Sequence, residues 1–204
     1  MKRFPMFGMV LFAAAAGAAE PAEPAPRPEV WMMPPFLEGR SFREMFANPD
    51  AWRETRARVD VLGCADWQTG KFKDEELKAW FAQMKAWGLK LGLEVGAVKP
   101  WGKTGAKTFA AEAPQWERVG RLGGELYAVA MDEPLVCCRE HIKESDEYAV
   151  RETADFIARV RERFPGVRIG DIETYPSIAT SNHVWWIDAL NARLAEKKVR
   201  GLDF

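Results

Sequence analysis

Acidic side chains in this sequence recur where short apolar runs end. Asp66 follows the run at 59–64, Asp132 and Glu133 follow 126–131, Asp171 and Glu173 close 167–172, and Asp203 closes 199–204. Carboxyl groups gathered around one opening suit cleavage of a glycosidic bond, where one donates a proton and another acts as nucleophile or base. The donor must stay protonated near neutral pH, a state favoured by burial and by a second carboxylate nearby. Glu133 is the expected donor, because its run is apolar up to the acids and Pro134 stiffens the turn beyond; Glu173 is the expected second catalytic carboxyl. The ordinary alternative for Asp132 and Glu133 is a loop-start role, capping a helix or bonding to Arg139.

Aromatic residues accompany these acids. Trp67 follows Asp66, Trp101 follows Lys99-Pro100, and Tyr175-Pro176 follows Glu173. Flat rings at the edge of an opening can stack on the apolar faces of sugars while polar groups bond the hydroxyls. Asp66, Trp67, Lys99, Trp101, Asp132, Asp171, Tyr175 and Asp203 are therefore the expected substrate-binding residues. Trp80, Trp87 and Trp185 lie on helical faces and are expected in the core. Glu94, inside an apolar run, needs a polar partner that the sequence does not identify.

The elements that must position these residues alternate. Apolar runs at 31–36, 59–64, 89–98, 126–131, 167–172 and 199–204 are separated by segments of helical spacing. Leu77, Trp80, Phe81, Met84 and Trp87 fall on one helical face, and so do Val150, Ala154, Ile157, Val160 and Phe164. Ser41 with Glu44, Asn48 before Pro49, and Asp74 before two glutamates mark helix starts, while Gly88, Gly123 and Gly166 mark stops. A strand every 30 to 40 residues or so with a helix between implies a parallel sheet. Two architectures accept this order: a parallel (β/α)8 barrel, cut short after about six strands, or a doubly wound open sheet. The apolar run that ends the sequence without a covering helix favours the barrel.

A basic head (Lys2, Arg3), a short apolar stretch and the small residues Ala16-Gly17-Ala18-Ala19 have the form of a cleavable export signal over residues 1–19. A Pro/Ala-rich tether is expected over 20–29, leaving 30–204 as one barrel domain, incomplete at its C-terminus. Without Lys2 and Arg3, the 29 basic residues fall to 27 against 30 acidic ones, a net charge of −3. That mild acidity, with no basic block, argues against nucleic acid as partner, and no membrane association is expected once the signal is removed. Two states of the cysteines are open: a bridge from Cys64 to Cys137 or Cys138 in an oxidising compartment, or all three unpaired. The only histidines are His141 and His183, so no metal site is expected. Gly123-Gly124 precedes a strand instead of following one, so no dinucleotide cofactor is expected.

Met131-Asp132-Glu133-Pro134, at the end of a fourth strand, resembles the Asn-Glu-Pro signature of barrel glycoside hydrolases of the large retaining clan. The resemblance implies that Glu133 is the acid/base residue. Asp132 stands where that clan usually carries Asn, and the clan's nucleophile lies on a seventh strand, beyond Phe204. A secreted or periplasmic enzyme acting on polysaccharide or oligosaccharide is the leading expectation. Its rivals are a non-catalytic carbohydrate-binding barrel and, less favoured for want of histidines beside the acids, a metal-dependent phosphodiesterase or esterase.

Overall fold

A computed structural model of the chain describes residues 27–204; the expected signal and most of the expected tether lie outside them. Five strands form one all-parallel, curled half-barrel sheet: β1 (Trp31–Met32), β2 (Val61–Ala65), β3 (Lys90–Val95), β4 (Leu126–Asp132) and β5 (Arg168–Ile172). Eight α-helices accompany them among the described residues: α1 (Arg40–Ala47), α2 (Arg53–Arg56), α3 (Asp66–Thr69), α4 (Asp74–Trp87), α5 (Gly105–Arg121), α6 (Pro134–Val136), α7 (Asp146–Arg163) and α8 (Thr180–Glu196). The strands lie side by side in chain order, without the reversal that defines a doubly wound sheet. Register aligns Ala65 with Glu94 and Glu94 with Ala130, so the C-terminal ends of β2, β3 and β4 finish together.

Alternation along the strands sorts the two faces. Leu62, Cys64, Leu91, Leu93, Val95, Val129, Met131 and Ile169 join the helices in one hydrophobic core. Trp116 of α5, Phe156 of α7 and Trp186 of α8 are fully buried in it, each contributing roughly 2–3 kcal/mol by leaving water. The opposite face carries small residues, among them Gly63, Gly92, Ala128, Ala130 and Gly170. Two rings fill that space: Trp31 lies over Gly92 and Phe204 over Gly170, with centroids 5.3 Å apart. A ring from the first strand thus meets one from the segment past the last, which is how far the sheet has curled. On the outer layer, α5 begins flush against α7, where a Cβ at Gly105 would stand 2.7 Å from the Phe156 nitrogen.

Several expectations change. The first strand is only Trp31–Met32, because Pro34 and Pro35 have no N–H to continue a ladder. The run at 199–204 forms no strand: a single backbone bond, Asp203 N to Ile169 O at 2.7 Å, ties it to β5, and Asn191 Oδ1 takes the Leu202 N–H. Ser41 caps nothing, since α1 starts at Arg40 with left-handed Gly39 before it. Trp185 is exposed, and its neighbour Trp186 takes the core position. Trp80 and Trp87 do pack inward, each stacked on Phe46. All three cysteines are unpaired and buried, and burial pushes the Cys64 and Cys138 thiols up to about 12. No described helix is long and apolar enough to cross a membrane.

Candidate functional site

The C-terminal ends of β2, β3 and β4 open into a cleft of about 520 Å³. Five residues expected to bind substrate line it: Asp66 and Trp67 at the start of α3, Lys99 and Trp101 in the loop after β3, and Asp132 ending β4. Glu94 of β3 and Glu112 and Gln115 of α5 complete the polar part of its wall. The two indoles are 54% and 59% exposed, so each offers a ring face to solvent beside the acids. Phe36 holds Trp67 edge-on, 5.2 Å between centroids. The loops here are tightly bent, with Ala97 and Glu133 both in the left-handed region at φ 61° and 51°, a conformation non-glycine residues adopt at some cost in strain.

Charge in this cleft is unbalanced. Lys99 gives its ammonium to Asp132, bonding the carboxylate at 2.5 Å and the backbone oxygen of the same residue at 2.6 Å. The other three carboxyls have no cation in hydrogen-bond contact among the described residues. Glu112 is only 6% exposed; one of its oxygens accepts the Gly96 N–H at 2.8 Å, and the other has no partner. Burial, reinforced by the charge of Asp66, pushes its carboxyl up to about 8. Asp66 is also raised by burial, against the pull of its bond from the Trp67 N–H. Burial and then the neighbouring Asp132 raise Glu94, whose carboxyl makes no hydrogen bond among the described residues. The polar partner that a mid-strand acid needs is thus absent, and the acid faces open space instead of sheet.

Other expected site residues lie apart from this wall. Glu133 stands beside the cleft, where its charge adds to those raising Glu94. Glu173 turns both oxygens to the start of α6, accepting from Leu135 N at 2.6 Å and Val136 N at 3.3 Å. Burial lifts it to about 7 even so. Asp171 points the other way, into the layer under α8, where the Trp186 indole donates to it at 3.0 Å and His183 lies 3.5 Å off; burial pushes it up to about 7. Asp203 joins Arg161 at 2.8 Å and Arg200 at 3.2 Å beside Ile169, at the end of the sheet away from the cleft. Tyr175 is fully out in solvent at 78% exposure.

Glu112 escapes strand-end reasoning because it comes from a helix. The signal for it is a carboxyl on the buried stripe of α5, in line with Thr108, Trp116 and Val119, all buried. A second polar cluster lies at the opposite end of the sheet. There Glu29 accepts from Trp31 Nε1 at 3.0 Å, Lys90 Nζ at 3.0 Å, Tyr127 OH at 2.8 Å and Arg168 at 2.9 Å. Arg27 pairs with Asp60 at 2.6 Å, so the described end of the expected tether lies against the sheet.

Among the described residues no group of three or more His, Cys, Asp and Glu is placed to hold a metal ion. No protein-family model and no curated protein matches the chain.

Proposed function

We propose that the protein binds a saccharide between Trp67 and Trp101 and cleaves a glycosidic bond there, as an exported barrel hydrolase. The curled five-strand sheet is taken as part of a (β/α)8 barrel, a scaffold whose active sites sit where strands end. One observation carries the proposal: two exposed indoles flank a cleft at that end, and its wall holds carboxyls raised by burial. Rings stack on sugar faces, and a carboxyl kept protonated can hand its proton to a leaving oxygen. Glu94 is the better-placed donor, being in the wall, raised and unbonded; Glu133, beside it, is the candidate partner carboxylate.

Glu94→Gln and Glu133→Gln, assayed on a glycoside with a poor leaving group and on its activated aryl counterpart, test the roles. Loss of the donor is expected to cost about 100-fold or more on the first substrate and far less on the second. Equal losses on both substrates remove a residue from the donor role. A second reading, carbohydrate binding without cleavage, is favoured by Lys99, which already neutralises Asp132. It is the outcome if oligosaccharides quench tryptophan fluorescence but are recovered intact.

A further inference from the structure

We infer that the ligand of this cleft carries a protonated amine, so that, resting on the saccharide reading above, the substrate class is an amino sugar. Four carboxyl groups line the cleft, Asp66, Glu94, Glu112 and Asp132, against one ammonium, Lys99, and no arginine. Lys99 is spent on Asp132.

The second and independent observation is a shortage of donors. One oxygen of Glu112 is buried without a partner, and so is Gln115 Oε1, one helical turn further along α5 and in the same wall. Gln115 Oε1 is an acceptor in need of an N–H or O–H, and so is that oxygen of Glu112 whenever its carboxyl is ionised; a buried acceptor left unmet is costly. A sugar hydroxyl offers one donor, whereas an ammonium offers three and also brings a positive charge, which draws Asp66 and Glu112 back from the protonated form that burial favours. Trp67 and Trp101 add to the preference, because an indole face attracts a cation as well as the apolar face of a sugar ring. A neutral sugar would supply donors but no counter-charge for these carboxyls; an anionic sugar would add a further negative charge beside them, with Lys99 alone to offset it. The amine is assigned to the Asp66–Glu112 side of the cleft, away from Lys99.

Titration calorimetry of the full chain with a glucosamine tetrasaccharide and with its fully N-acetylated counterpart tests this assignment. The amine-bearing ligand is expected to bind about tenfold tighter or better, equivalent to about 1.4 kcal/mol, with an advantage that shrinks as salt is added. Glu112→Gln keeps an oxygen for the Gly96 N–H but cannot take a negative charge, and is expected to bring the two ligands close to equal affinity, with the larger loss on the amine-bearing one. Asp66→Asn and the salt dependence of the unaltered chain serve the same purpose should the Glu112 variant not fold. Equal or tighter binding of the acetylated ligand overturns the amine inference and leaves the saccharide reading standing; no binding of either ligand overturns both.

Discussion

Where the strands begin, one carboxylate, Glu29, collects hydrogen bonds from Trp31, Lys90, Tyr127 and Arg168. Where they finish, Asp66, Glu94, Glu112 and Asp132 share one lysine. Glu29 feels burial too, but the bonds from Tyr127, Lys90 and Trp31 outweigh it and draw its carboxyl down to about 2. Glu112 has one backbone bond against burial and Asp66, and stands at about 8. The same functional group is thus held firmly charged at one end, where donors are plentiful, and readily protonated at the other, where burial is deeper and donors are few. A satisfied carboxylate stabilises the fold; unsatisfied ones are what a ligand can repair, and that contrast separates scaffold from candidate site.

The contrast breaks most visibly under Glu112→Gln. Because the folded pKa of Glu112 lies above its unfolded value, its contribution to stability is whole below about pH 4 and is lost as pH rises to about 8. The variant is therefore expected to be more stable than the parent by about 3 kcal/mol at pH 8 and nearly equal to it at pH 4, by urea denaturation at both. A less stable variant at pH 8 would mean that the free oxygen of Glu112 is already satisfied in solution.

Glu29→Ala attacks the other end. It leaves Lys90 and Arg168 side by side with no anion between them, and about 2 kcal/mol of stability should go at neutral pH. A loss under 0.5 kcal/mol or so, the range of ordinary surface changes, would demote the cluster to a solvated surface pairing. The smallest effect expected is in acid. With its folded pKa depressed, Glu29 contributes stability above its unfolded pKa of about 4 and loses it as pH falls through about 2. Parent and Glu29→Gln melting temperatures should accordingly converge across that window; parallel curves would show the carboxylate is not held.

Much of the scaffold could be read from the chain because β2 and most of β4 are continuous apolar runs, while β3 and β5 keep short apolar stretches around single charged residues. The run at 31–36 overstates the first strand because Pro34-Pro35 looks apolar but cannot bond, and the last run forms none because Leu202 and Phe204 pack against the sheet without joining its ladder. Asp66, Trp67, Lys99, Trp101 and Asp132 were legible in the cleft as residues following strands. Asp171 was not, since it lies one residue off the alternation that would aim it inward, and alternation alone places Asp171 and Ile172 on opposite faces. Glu112 was hidden because its inward reach depends on a residue far along the chain: a Cβ at Gly96 would stand 2.6 Å from its carboxyl oxygen.

The joint between α5 and α7 acts on that carboxyl from a distance. Gly105 brings the two backbones together, and Glu112 rides on the same rigid rod two turns later, about 10 Å along its axis. Any side chain at 105 would act as a shim, tipping the rod outward from its foot and withdrawing the carboxyl from the Gly96 N–H. How deep an acid sits in the cleft is thereby gauged by the thickness of a contact on the outside of the molecule, among atoms that no ligand meets.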